Sequence, residues 1–187
     1  MEFRTVPGLS YRAAFLTIQR EELLCGFIER IDPAEWIADF KRRKICFGYR
    51  YDYASRSIMC RLGPLPPILR TLAVDLRAAG LMTNLAEQAI VNEYLPGQGI
   101  SAHVDAACFG PEVVSISLCS GCVMRFRERN TGLRHEVFLA PRSAIALRGA
   151  ARYAFTHEIP PRLSDVVAGG TRMRGRRLSI TLRTVRS

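Results

Sequence analysis

Apolar and polar positions recur along this chain with two periods. In the first third the spacing is helical: Leu23, Leu24, Phe27 and Ile28 share a face, Thr17 stands at an N-cap position, and Glu21 and Glu22 fall in the first turn. This predicts a helix over about Ile18 to Arg30. Asp32-Pro33 predicts a short second helix around Trp36, and Ile68, Leu69, Leu72 and Leu76 predict a third from about Pro67 to Ala79, stopping at Gly80. From Ala89 onward the period falls to two, with short strands expected near Val113–Leu118, Val123–Phe126, Glu136–Leu139, Ser143–Leu147 and Arg177–Arg183. The implied fold is α+β, mainly β: a two-sheet barrel or sandwich with the N-terminal helices packed on its outer face.

The stretch Ala89 to Asp105 reads as a strand, a tight turn and a second strand, with Pro96-Gly97 and Gly99 supplying the turn. Side chains at i and i+2 leave a strand on one face, so His103 and Asp105 point together, and Asn92 and Tyr94 project beside them. His-x-Asp alone fits a hydrogen-bonded histidine next to a surface aspartate just as well. The chain has only three histidines, however, and His157 follows the Ser143–Leu147 strand in an apolar, aromatic segment. Two imidazoles and a carboxylate on adjacent strands form a facial triad, which holds Fe(II) and leaves positions open for oxygen and a co-substrate. On the last strand Arg177, Ser179, Thr181 and Arg183 line one face, while Leu178, Ile180 and Leu182 line the other. An arginine at each end of a polar face suits a small dicarboxylate, although a solvated edge strand would show the same pattern.

Composition adds a partner class. A formal net charge of +10 suits a polyanion. The run Lys41, Arg42, Arg43, Lys44 precedes Phe47, Tyr49, Tyr51 and Tyr53, a pairing of cations and rings that suits phosphates and stacked bases, or equally a basic turn leading into a strand with core aromatics. With 48% hydrophobic residues, the 187-residue chain is expected to form one domain. No apolar run approaches a membrane span, and residues 1–5 lack signal-peptide character, so a cytoplasmic monomer without a membrane partner is expected. Its six cysteines are then reduced. Cys119 and Cys122 have the spacing of zinc or redox pairs, but with no second pair they read as thiols at a strand turn. Residues 160–176 read as a basic loop.

In this order and spacing, Asn92-x-Tyr94, Pro96-Gly97, His103-x-Asp105, the Val113–Leu118 strand, His157 and Arg177-x5-Arg183 resemble the AlkB-type Fe(II)- and 2-oxoglutarate-dependent dioxygenases, from about Phe47 to Arg186. The phrasing around Tyr94–Ile100 and Phe47–Tyr49 is most similar to the branch containing the tRNA wobble-uridine hydroxylase. The resemblance implies a double-stranded β-helix, or jelly roll. Residues 1–80 would then supply a helical framework and a nucleotide-recognition lid, and residues 81–187 the core. It further implies His103, Asp105 and His157 as iron ligands, and Asn92, Tyr94, Arg177, Ser179 and Arg183 as the 2-oxoglutarate site, with O2 as co-substrate. Lys41, Arg42, Arg43, Lys44, Tyr49, Tyr51 and Tyr53 would meet nucleic acid.

Two positions depart from the family. Ala107 stands where DNA-repair members carry an acidic residue, and Glu158 follows His157 where glycine is frequent, adding a charge near the iron. The expected function is a dioxygenase that hydroxylates or oxidatively demethylates a modified nucleic-acid base, with RNA, and tRNA in particular, favoured. The alternatives are a DNA alkylation-repair demethylase and a non-catalytic nucleic-acid-binding module with a vestigial metal site.

Overall fold

In the computed structural model, described for residues 6–39, 42–52, 55 and 57–186, strand β1 (Leu9–Arg12) leads to helix α1 (Ile18–Glu29). The helix starts where it does because the Thr17 hydroxyl accepts from the Arg20 N–H at 3.2 Å, satisfying one of the donors that every helix start leaves open. The expected second helix is only a 3-10 turn, Pro33–Glu35, with Trp36 already extended. Arg43 lies over the Trp36 ring at 4.5 Å, which holds that residue against the sheet. Strands β2 (Ile37–Asp39) and β3 (Arg42–Phe47) follow, then a separate hairpin of β4 (Tyr49–Asp52) and β5 (Ser57–Arg61). Helix α2 (Pro67–Ala78) opens with proline at its first position and ends just before Gly80, whose φ of +69° a side chain would resist.

The remaining chain is almost all strand. β6 (Gln88–Tyr94), β7 (Ile100–His103), β8 (Phe109–Leu118), β9 (Cys122–Glu128), β10 (Arg134–Leu139) and β11 (Ala144–Leu147) lead to a one-turn helix α3 (Gly149–Tyr153) and β12 (Phe155–Ile159). The segment expected as a loop over 160–176 contains a hairpin, β13 (Ser164–Val167) and β14 (Gly170–Met173), before β15 (Arg177–Val185). A buried ion pair secures that hairpin: Arg174 donates to both oxygens of Asp165, at 2.6 and 2.7 Å, and to the Pro160 carbonyl at 2.8 Å.

Two antiparallel sheets result, one in the order β1-β11-β8-β15-β6-β3-β2 and one in the order β10-β9-β12-β7. The period-two pattern sorts side chains between the faces of the larger sheet. Leu178, Ile180 and Leu182 of β15 pack with Val91, Val114 and Ile116 against Leu24 and Ile28 of α1 and Leu69, Leu72 and Leu76 of α2. This is the jelly-roll arrangement with helices on the outer face. The opposite face meets the smaller sheet through Tyr94, Ile145 and Leu147, packed with Met124, Phe126, Phe155 and Ile159. Polar side chains of the same inner layer, among them Asn92, Ser179 and Arg177, line the cavity described below.

The β6–β7 turn depends on two glycines for different reasons. Gly97 has φ +85°, as a tight turn needs, whereas a side chain at Gly99 would run into the Ile159 carbonyl. Gly99 therefore lets β7 approach β12.

Candidate active site

The facing of β7 and β12 creates the centre of the site. His157 pairs directly opposite His103 across these strands, and the ring centroids lie 4.3 Å apart. Strand β7 ends at His103, so Asp105 arrives from the loop that follows rather than from the same strand. Its carboxylate nevertheless converges on the histidines: one donor atom from each of the three residues lies within 4.8 Å of the others.

Each residue's partners prepare it for a cation. The Nδ1 of His103 lies 2.8 Å from the Ser101 carbonyl, which can only accept, so Nδ1 carries a proton and Nε2 is the nitrogen left for a metal. Burial pushes the His157 imidazole down to about 4, partly opposed by Asp105, and keeps the ring neutral as a metal ligand must be. Burial opposes ionisation of Asp105, but neighbouring positive charge, that of Arg183 foremost, outweighs it and holds the carboxyl below the usual range. Asp105 Oδ1 accepts from Arg183 Nη1 at 2.8 Å. Asp105 Oδ2 is buried 3.6 Å from His157 Nε2 and has no hydrogen-bond partner among the described residues. A buried carboxylate oxygen without a donor calls for a cation, and the two-imidazole, one-carboxylate set is the one that suits Fe(II).

The expected co-substrate residues line the same cavity, which encloses about 640 Å³ including its open mouth. Registers on β15 and β6 set them side by side, Arg177 opposite Tyr94 and Ser179 opposite Asn92. Arg177 is buried and donates from Nη2 to Ser117 Oγ at 2.8 Å, yet its Nε and Nη1 have no hydrogen-bond partner among the described residues. Two buried, unsatisfied guanidinium donors fit one carboxylate held bidentately. Arg183, at the other end, is already engaged: Nε donates to Gln88 Oε1 at 3.0 Å, and the guanidinium lies 3.8 Å over the Phe109 ring.

The expected nucleic-acid residues divide. Lys41 and Tyr53 lie outside the described residues. Arg42 and Lys44 are buried, Arg42 within the cavity, where its Nε donates to Asn92 Oδ1 at 2.8 Å. Arg43 points the other way, to Trp36 and an ion pair with Glu93. The strand's alternation thus splits a run of like charges between two faces. Tyr49 and Tyr51 are half-buried on the β4–β5 hairpin, and the Tyr51 ring lies 5.4 Å from Phe109, beside the arginine end of the cavity. Glu158 does not charge the site, because β12 alternates and its carboxylate accepts from Arg125 at 2.9 Å on the far face.

Three contributors were not anticipated. Gln88 and Ser117 each accept from a site arginine. Arg152 of α3 is fully buried and donates to the carbonyls of Asp105 and Ala106, both at 2.8 Å, and of Gly110 at 3.4 Å. It grips the metal-site loop from behind. A lone cation in the apolar run Gly149 to Phe155 was the signal available for it.

Over residues 33–183 the chain matches the 2OG-Fe(II) oxygenase superfamily. The chain belongs to that superfamily. This oxygenase is 34% identical, over 97% of its length, to the alkylated DNA repair protein ALKBH8 homolog of Arabidopsis thaliana. It is 33% identical, over 90% of its length, to the tRNA (carboxymethyluridine(34)-5-O)-methyltransferase ALKBH8 of Mus musculus. It spans 59% of the first relative and 26% of the second. Its fold matches the solved structure of OsALKBH1 with a TM-score of 0.74 at 16% identity, over 95% of this chain and 97% of that one. The sequence likenesses set the oxygenase among AlkB homologues, and the structural one bears out the fold expected from the strand pattern. Its superfamily uses Fe(II), 2-oxoglutarate and dioxygen. No described helix is long and apolar enough to cross a membrane.

Proposed function

We propose that this oxygenase hydroxylates or oxidatively demethylates a modified base in RNA, with tRNA as the favoured substrate. The observation that carries the catalytic part is the unpartnered Asp105 Oδ2 between two histidines, in the same cavity as the two unpartnered donors of Arg177. In this reading His103, Asp105 and His157 hold Fe(II) on one side of the cavity. Together with 2-oxoglutarate and dioxygen, the bound iron supplies the oxidation: one oxygen atom reaches a substrate carbon, while the co-substrate loses carbon dioxide and becomes succinate.

The chain's own residues set the geometry for this. Arg177, steadied by Ser117 and lying over the Tyr94 ring at 5.4 Å, takes the distal carboxylate of the co-substrate. Arg42 occupies the amide oxygen of Asn92, which turns the Asn92 amide hydrogens toward an acceptor on a ligand. Ile90, Val113, Ile145 and Leu147 line the wall and limit water near the reacting carbon. An N-methyl group hydroxylated here would collapse to formaldehyde and the unmodified base, whereas a carbon side chain would remain as an alcohol.

The RNA preference rests on the tRNA enzyme named among the relatives and on Ala107, which is exposed beside the site and has no side-chain acceptor for a base's exocyclic amine. An unstacked RNA base also needs no flipping energy. The DNA-repair name of the Arabidopsis relative favours a second reading, demethylation of alkylated DNA. The test is mass spectrometry of nucleosides from tRNA and from methylated DNA incubated with the Fe(II)-loaded protein and 2-oxoglutarate. A new hydroxylated or demethylated tRNA nucleoside is expected. Turnover of methylated DNA with no change in any tRNA would return the protein to repair, and no 2-oxoglutarate consumption on either would leave the binding-module reading.

A further inference from the structure

The cysteines spaced as a pair in the sequence do not meet. Cys122 is buried in the inner core, whereas Cys119 is exposed at the β8–β9 turn, with its sulfur 3.5 Å from that of Cys25 on α1, 94 residues away in the chain. This contact is held from two sides. The Cys119 N–H donates to Glu21 Oε1 at 2.8 Å, and Glu21 stands one helical turn before Cys25, on the same face of α1. On the other side of the turn, Ser120 Oγ accepts from the Gly175 N–H at 2.9 Å. The backbone at Cys119 is itself left-handed, with φ +67°, a conformation that costs a residue with a side chain and is kept here by those contacts.

We propose that Cys25 and Cys119 are a modification site for hydroperoxides, at which the two thiols close to a disulfide that ties α1 to the β8–β9 turn. Cys119 is the attacking sulfur. It is the exposed member of the pair, and the hydrogen bond with Cys25, aided by Arg176 and opposed by burial and by Glu21 and Glu29, lowers its thiol to about 7. The same contact pushes the Cys25 thiol up, so Cys25 stays protonated and resolves the intermediate. The Cys119 thiolate attacks one oxygen of hydrogen peroxide and displaces hydroxide, giving a sulfenic acid. The Cys25 sulfur then attacks the oxidised sulfur, its proton leaving with the second hydroxide as water. Two thiols and one peroxide become one disulfide and two waters, with each sulfur oxidised by one electron and the peroxide reduced by two.

The test treats the full chain, without added iron, with stoichiometric hydrogen peroxide and maps its peptides without reduction. A loss of two hydrogens is expected, carried by one cross-link between the Cys25 and Cys119 peptides and reversed by dithiothreitol. In Cys25→Ser the cross-link should vanish and dimedone should label Cys119; in Cys119→Ser neither signal should appear. A Cys119–Cys122 link would overturn the proposal, as would six thiols that alkylate after peroxide as they do before it. So would an unchanged mass loss in Cys25→Ser.

Discussion

Arg183 Nη1 donates to Asp105 Oδ1 at 2.8 Å, with both side chains less than a tenth exposed, so one oxygen of the carboxylate is tied while the other is aimed at the histidines. An arginine that the sequence offers as a co-substrate ligand is thereby also the group that orients a metal ligand. Removing one member of a buried ion pair costs about 3–5 kcal/mol, because the other charge is left without compensation. Arg183→Ala is therefore expected to lower both the melting temperature and the affinity for Mn(II) used as a stand-in for iron. Calorimetric titration with Mn(II) at wild-type affinity would detach Arg183 from the metal centre.

Arg177→Ala should behave differently. Its free donors face the cavity and touch none of the metal-site residues, so the loss should fall on 2-oxoglutarate alone. A charge-assisted contact of this kind contributes on the order of 1.5–3 kcal/mol, or roughly ten- to hundredfold in affinity. Arg177→Lys should recover only part of it, since an ammonium lacks the planar fork. The check is titration of 2-oxoglutarate into the Mn(II)-loaded variants; unchanged affinity in both would remove the carboxylate site from Arg177.

Acid should loosen the β13–β14 hairpin. Burial opposes ionisation of Asp165, but hydrogen bonds from Arg174 and from the Val123 N–H outweigh it, so the folded carboxyl lies below its ordinary range. A carboxyl depressed in this way contributes stability that is fully present above the unfolded value of about 3.9 and is lost as pH falls through the folded value. Asp165→Asn should therefore melt lower than wild type at neutral pH, with the difference shrinking as pH falls through that acidic window. A difference that stays constant from neutral pH down to about 2 would mean that the pair is not the titrating element.

The parts of the site that lie on period-two strands were legible in the sequence. Arg177 and Ser179, and likewise Asn92 and Tyr94, face the cavity because alternation alone assigns them to one face. His103 and His157 meet although 54 residues separate them, because β7 and β12 pair, and the apolar, aromatic character of the His157 segment hinted at that. What failed was reasoning from charge. Lys44 and Arg42 read as part of an exposed run that would meet phosphates or form a basic turn, yet the register of β3 against β6 sets Lys44 opposite Asn92 and buries both cations. The β4–β5 and β13–β14 hairpins lacked a clear signal, since polar and aromatic residues crowd the first and glycine and arginine the second. Arg152 escaped for another reason: its partners are backbone carbonyls, and no residue type in the sequence marks a carbonyl that needs a donor.

Arg152 supplies the last prediction, because its contacts make it a positioning residue for the metal-site loop. Its fork holds the carbonyls of Asp105 and Ala106 together, and burial pulls its own pKa down while the Asp105 charge props it up. Outer contacts of this kind commonly carry about 10- to 100-fold in metal affinity. Arg152→Met should therefore weaken Mn(II) binding by roughly that factor, and Arg152→Lys by less, since an ammonium keeps the charge but cannot reach both carbonyls with planar geometry. A residue that merely filled the core would lower the melting temperature of metal-free and metal-loaded protein alike. A positioning residue should in addition shrink the gain in melting temperature that a fixed Mn(II) concentration confers, because that gain grows with the ratio of ligand concentration to dissociation constant. If the variants melt lower but keep the full metal-induced gain, Arg152 supports the fold and not the ligand.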